Sequence, residues 1–394
     1  MKRFLIVVVA LLGLTSAQSV APAQQLFDMA LELLRGHYHG YSTFDADTLR
    51  TAFQPRLLEA CQGLTTCDFD AGGGVVSGMV SSLNDPHTYR LTPEQNRARE
   101  REFSGSTALG AGVKLAAVPD AAALVVTRVL QGGAASAVDV RRGDVIWGVN
   151  RKSLAEFSNA TEALQYVQRL ESSGQVLELT VARGRSRLEV VLKPQPVAAW
   201  LPQLEVRDGV GVISFFQFKT SGGVARRTHQ LVGEAQRLGL GALVLDVRDS
   251  QGGLITEMLG AVGAFTAHPV LLDEFKTGSV RFEFEKGKFI QTEAGGERFE
   301  TPMIAAPALW TGKLSVLTNR AAKSAPEYLA YLLQRQGVPV IGEPTLGALN
   351  TSNSFFPLPD DSSLAITLGR SLNPDGSSYP ERVTPDIAVA DDLT

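Results

Sequence analysis

Cysteine is nearly missing from this chain: Cys61 and Cys67 are the only two among 394 residues. That excludes a disulfide scaffold and a Cys-rich zinc module, which both need more thiols at fixed spacing. Histidine is scarce as well, with five residues. His37, His39, His229 and His268 stand at no metal-ligand spacing with Cys, Asp or Glu, so no metal is expected. Gly72-Gly73-Gly74 lacks the Lys-Ser/Thr of a phosphate loop, and no dinucleotide fingerprint occurs, so no cofactor is expected either. Basic blocks are absent. Lys and Arg total 37 against 41 Asp and Glu, a net charge of −4, which excludes the electrostatic footprint of nucleic-acid binding. Beyond the first 17 residues no apolar run approaches the roughly 20 residues of a membrane crossing.

What is present starts with a targeting signal. Met1-Lys2-Arg3 is a positive n-region, Phe4 to Leu14 an apolar h-region, and Thr15-Ser16-Ala17 offers small residues at a cleavage site before Gln18. Residues 1–17 are therefore expected to be a cleaved signal peptide, with the mature protein exported to the periplasm or cell envelope. In such a compartment Cys61 and Cys67 are expected to form a disulfide around Gly63. A metal pair would lack further ligands, and a catalytic thiol would lack an activating His.

Three textures follow. Residues 18–105 read as helical: apolar residues recur at helical spacing from Leu26 to Leu34, Asp45 can cap the next helix, and a helix Gly74 to Leu83 stops at Pro86. Residues 91–104 are charged, a solvated helix or a linker. From 106 to 195 short β runs take over, with a helix near 160–171. Residues 196–394 are α/β: strand 210–215, helix 224–238, the apolar strand 241–248, helix 255–265, a polar hairpin near 275–293, strand 314–317 and helix 325–335. Short strands at 338–341 and 364–368 are expected to complete one sheet.

Within the second region, LGAGVKL (109–115) followed by RRGDVIWGVN (141–150) resembles a PDZ domain. The resemblance implies a groove that adds an extended peptide C-terminus as a strand, its carboxylate cradled by backbone N–H groups at Gly110, Ala111, Gly112 and Val113.

Chemistry concentrates in LSVLTNRAAKSAPEYLAYLL (314–333). Ser324 stands just before a helix with Pro326 in its first turn, where a missing N–H costs nothing. Its hydroxyl would face the free N–H groups and positive dipole end of that helix, which favour a developing oxyanion. A Ser in this place is also a good N-cap and nothing more. Its surroundings decide: LVLDVRDSQGGL (243–254), the Ser324 segment, VIGEPTLG (340–347) and TPDIAV (384–389) occur in this order. The series resembles the carboxyl-terminal processing (tail-specific) protease family over residues 26–391. The resemblance implies an α/β, ClpP/crotonase-like protease core with an inserted PDZ domain and an N-terminal helical segment. It places the nucleophile on Ser324 and the oxyanion donors on the Gly253 and Ala325 N–H groups.

One absence cuts against it. The commoner family pattern, Gly-Glu-x-Thr-x-Gly-Lys, supplies a Lys that deprotonates the Ser. Here it reads Gly342-Glu343-Pro344-Thr345-Leu346-Gly347-Ala348, and the Gln four residues on is Ser352. Without a base a Ser hydroxyl is a poor nucleophile. Relatives resembling the tricorn core use a His from an Asp-x-His-Thr/Ser motif and a Glu near the C-terminal Pro-Asp. Asp85-Pro86-His87-Thr88 and Glu381 fit that pattern, with His87 as base and Glu381 or Thr88 orienting it. Lys323 is adjacent to Ser324, but successive side chains point apart. The expected activity is serine-type endopeptidase, acting on exported proteins recruited by their C-terminal tails, with a homo-oligomer left open. The alternatives are a silent PDZ peptide-binding protein that has lost its Lys, and a ligand carrier on the same core.

Overall fold

The computed structural model describes residues 21–118, 121–197, 200–391 and 393; the expected signal peptide lies outside them. Pro22–His37 is helical because Leu26, Phe27, Ala30, Leu31 and Leu34 place one apolar stripe against the core, all of them buried. Ala46–Cys61 begins as the sequence suggests, with the Asp45 carboxylate accepting the Thr48 N–H at 2.6 Å. The third helix starts five residues before the expected Gly74, at Phe69–Ser81, under an Asp68 cap. Its glycines are a contact surface instead of a preceding turn. A Cβ on Gly72 would lie 2.9 Å from Ala23 Cα, so only glycine lets these two helices close. Cys61 and Cys67 form a disulfide with Cα atoms 5.1 Å apart. This apolar cluster also contains Leu358, Leu364 and Ile366, which fuses the helical segment to the α/β core. Among the described residues no helix is long and apolar enough to cross a membrane.

The charged segment is a helix, Pro93–Ser104, opened by a Thr92/Gln95 capping box and closed by Gly105 at φ 68°. After it the PDZ-like unit is an antiparallel sheet in the order 113–117, 124–129, 145–149, 177–183, 186–192, with a short strand at 152–153 on its middle member. Helix Ala160–Ser172 packs on this sheet through Ala163, Val167 and Leu170. Strand Val113–Ala117 is at the end of that order, with one edge unpaired by the sheet.

The rest holds two sheets. In the first, 203–207 pairs antiparallel with 210–214, and 242–246, 313–318, 340–342 and 387–388 follow in parallel. Ala242–Asp246 is central, which accounts for its unbroken apolar character. The expectation that 364–368 completes this sheet is corrected. Ser363–Leu372 belongs to a second, antiparallel sheet, paired with Val270–Phe275, Thr351–Pro357 and Tyr89–Leu91. Its first five residues are all buried, a run that periodicity cannot assign to one sheet or the other. The polar hairpin is likewise part of a larger meander, four strands from Val270 to Pro302. The pairing of Tyr89–Leu91 draws residues 85–91 onto the core beside the Ser324 turn.

A set of buried ion pairs holds the PDZ-like unit on the core. Arg128 Nη1 and Nη2 donate to the Asp246 carboxylate at 2.8 and 3.0 Å, and Arg128 Nε to the Arg248 carbonyl at 2.9 Å. Arg142 donates to Asp249 at 3.0 Å and Asp391 at 2.8 Å. Burial alone would raise the Asp246 pKa, but Arg128 and then Arg248 overcome it and hold the carboxyl well below its ordinary value. Removing one member of a buried pair strands the other. Arg128→Met is expected to cost about 3 kcal/mol of stability, read as a lowered urea midpoint; an unchanged midpoint would mean that Arg248 alone satisfies Asp246.

Candidate active site

Strand Lys313–Thr318 runs through a tight turn to Ser324 and helix Ala325–Gln334. A serine acting only as an N-cap sits in extended backbone. Ser324 has φ 68° and ψ −118°, a conformation that costs a non-glycine residue of order 1–3 kcal/mol and gathers at functional sites. It is a sharp strand-to-helix turn of the kind that can present a nucleophile.

The Gly252-Gly253 turn is fastened to it. Asn319 Oδ1 accepts the Asp249 and Ala321 N–H groups at 3.0 and 3.2 Å, and the Lys323 N–H donates to the Ser250 carbonyl at 3.1 Å. A Cβ on Gly252 would sit 3.5 Å from Ser324 Oγ, and one on Gly253 would sit 2.1 Å from the Phe218 carbonyl carbon. Both positions admit glycine alone. The Gly253 and Ala325 N–H groups donate to no acceptor among the described residues. With Ser324 they line a cavity of about 480 Å³ whose walls include Ile255, Met258, Phe275 and Phe282. The hydroxyl, two free donors and an apolar recess thus share one space.

Glu327 holds this arrangement from behind. It is fully buried. Its carboxylate accepts the Ser324 N–H at 2.6 Å, the Thr345 hydroxyl at 2.6 Å, and the Gly347 and Ala348 N–H groups at 3.0 Å each. Burial pushes its carboxyl up, while these donors oppose the shift. Glu327 was not singled out from the sequence, although the Ser-x-x-Glu spacing is a capping-box signature that marks it.

His87 is buried, with Nδ1 2.8 Å from Thr351 Oγ1. Burial, then the positive charge of Lys323, lowers its pKa to about 3, so the ring is neutral at ordinary pH. It lines a cavity of about 330 Å³ together with Ser324, Gly253, Lys323 and Tyr89, and no hydrogen bond joins it to Ser324. Neither expected orienting group reaches the ring. The Thr88 hydroxyl bonds Asp85 and Thr367. Glu381 is exposed and pairs with Arg382 at 2.7 Å. The assignment of Glu381 as orienter is therefore corrected to Thr351, 264 residues from its histidine, which no local pattern points to. Lys323 Nζ donates to the Pro86 carbonyl at 2.6 Å and lies 4.9 Å from the centre of the Tyr89 ring, engaged away from a role as base. Ala348 is fully buried, and Ser352 Oγ donates to Asp273 at 2.6 Å. Among the described residues no group of three or more His, Cys, Asp or Glu is placed to hold a metal.

The PDZ-like groove is a separate cavity of about 410 Å³, lined by Gly110, Gly112, Val113, Leu115, Leu164 and Glu171. Ala111 is buried and its N–H donates to Glu171 at 2.5 Å. Ala98 and Glu102 of helix Pro93–Ser104 line both this groove and the Ser324–His87 cavity.

Residues 209–389 match Peptidase family S41, and residues 102–182 match the PDZ domain. A probable CtpA-like serine protease of Staphylococcus aureus (strain bovine RF122 / ET3-1) is 29% identical over 320 residues, covering 80% of this chain and 59% of that protein. Its counterpart in Staphylococcus haemolyticus (strain JCSC1435) is 23% identical over 392 residues, covering 98% and 71%. This chain thus spans about three fifths of the first relative's length. The solved photosystem II D1 C-terminal processing protease shares the fold, with a TM-score of 0.55 and 21% identity over 94% of each chain.

Adding one methyl group tests the glycine turn. Gly253→Ala forces the turn off Phe218, so casein hydrolysis should fall at least about 100-fold, the scale of losing one oxyanion donor. Circular dichroism should stay native, and full activity would exclude Gly253 from the site.

Proposed function

We propose, from the premise that this chain belongs to the carboxyl-terminal processing protease family, that it hydrolyses peptide bonds through an acyl-enzyme on Ser324. The observation that carries this reading is the strained Ser324 turn, with the free Gly253 and Ala325 N–H groups in the same cavity. Ser324 Oγ attacks the scissile carbonyl and its proton passes to a base. The two N–H groups stabilise the tetrahedral oxyanion, the amine leaves with a proton, and water then hydrolyses the ester. His87 is the proposed base. When Nδ1 donates to Thr351 Oγ1, the Nε2 lone pair is left free to take a proton, as a base needs. Charge developing on the neighbouring oxyanion offsets the burial that disfavours imidazolium. Substrates are exported or envelope proteins, presented as extended tails to the PDZ groove, in the periplasm or cell envelope. The edge strand Val113–Ala117 and its apolar groove support a strand-adding ligand.

A second reading, a silent peptide-binding protein, is favoured by Ala348 at the Lys position and by the lack of a His87–Ser324 hydrogen bond. Cleavage of casein by the purified protein separates the two. Ser324→Ala should abolish turnover and His87→Ala should reduce it at least about 100-fold. Wild type at the level of Ser324→Ala would favour the silent reading, and intact His87→Ala activity would move the base elsewhere.

The pH profile gives an independent check. A base must be unprotonated, and the His87 pKa is lowered to about 3. The acid limb of kcat/KM should therefore lie well below the usual histidine value of about 6.5, with activity flat from about pH 8 to 5. A Lys base would instead give activity climbing into the alkaline range. Between about pH 6.5 and 3 the unfolded chain takes up a proton that folded His87 refuses, so stability falls as pH drops, and folding is followed in the same samples.

A further inference from the structure

The PDZ groove is not open at the end where a ligand's terminal carboxylate would sit. The Ala111 N–H, in the middle of the Gly110–Val113 loop, donates to Glu171 Oε1 at 2.5 Å. Glu171 belongs to the last turn of helix Ala160–Ser172, the wall of the groove opposite strand Val113–Ala117. Two facts make this carboxylate unusual. It stands at the negative end of its helix dipole, where a cation is favoured and an anion is not. It is also half-buried. Burial pushes its carboxyl up, and the one interaction pulling it back is the Ala111 N–H; no ion pair involves it among the described residues. A half-buried carboxylate without an ion pair at a helix C-terminus is costly. What it gains here is the hydrogen bond that the loop would otherwise give to a bound peptide. A Cβ on Gly110 would lie 3.3 Å from the same Oε1, so the backbone of the loop closes around it.

We infer that Glu171 is a built-in stand-in for the terminal carboxylate of a ligand and sets which peptides the groove accepts. A free C-terminus must displace it and competes for the same N–H. A peptide lacking that charge meets no like-charge repulsion from Glu171 and draws less from the freed N–H. The inference rests on the proposed tail-binding role of the groove and adds the residue that governs it. It concerns selection of ligand, and leaves the chemistry at Ser324 aside.

The test uses full-length protein carrying Ser324→Ala, so that no peptide is consumed. Two fluorescein-labelled hexapeptides ending in three apolar residues are compared by anisotropy, one with a free carboxylate and one amidated. Glu171→Ala should tighten binding of the free-carboxylate peptide about tenfold or more, the worth of a hydrogen bond to a charged group, and leave the amide unchanged. Glu171→Gln, which keeps the shape and loses the charge, should gain in the same direction by less. Thermal melts check that each variant is folded. Equal affinity for the free-carboxylate peptide across all three proteins overturns the inference and leaves tail binding intact. An equal gain for the amide also overturns it, since Glu171 would then be a steric plug. Binding of neither peptide by any of the proteins removes both the inference and the tail-binding reading, while the casein assay still judges Ser324 on its own.

Discussion

Burying a carboxylate is costly unless donors surround it, and four donors converge on Glu327. Two of them are the Ser324 N–H and the Ala348 N–H. One carboxylate thus fixes both the Ser324 turn and the Gly347-Ala348 loop. The strained backbone of Ser324 persists because this anchor, the Asn319 bonds and the packing of helix Ala325–Gln334 over-determine it. Without Glu327 the serine would be free to relax to the extended geometry of an ordinary cap.

The glycine turn is held from the other side. Asp249, three residues before Gly252, bonds Asn319 within the core and Arg142 from the PDZ-like unit. Asp246, at the end of the central strand, takes the Arg128 fork. The Gly252-Gly253 loop therefore lies between the Ser324 turn and the PDZ-like unit, tied to both by buried polar bonds. Fixed donors of this kind need no rearrangement when charge appears. Their cost is met in folding.

Legibility followed the range of the interaction. Ser324 and Gly253 were readable because strand, turn and helix signals are local and the motifs keep their order; Glu327 was passed over although its capping-box spacing is just as local. The PDZ-like unit was readable for the same reason. His87 was singled out by its neighbours, yet its partner Thr351 was not, because a contact made by chain reversal leaves no trace in spacing. Glu381 satisfied a motif and still lies at the surface beside Arg382. Strand Ser363–Leu372 was assigned to the wrong sheet, since a run buried on both faces looks alike in either. Gly72 was left outside the helix because its reason, the approach of Ala23, lies in another helix.

Helix Pro93–Ser104 presents Ala98 and Glu102 to the peptide groove and to the Ser324–His87 cavity alike. It is a partition between two chambers, one side chain thick at these points. Glu102 is also bonded to Lys219, which lines the second chamber, at 2.5 Å. A ligand in either chamber would therefore meet the same two side chains of this helix. A polypeptide long enough to occupy both must bend around the rim of this helix.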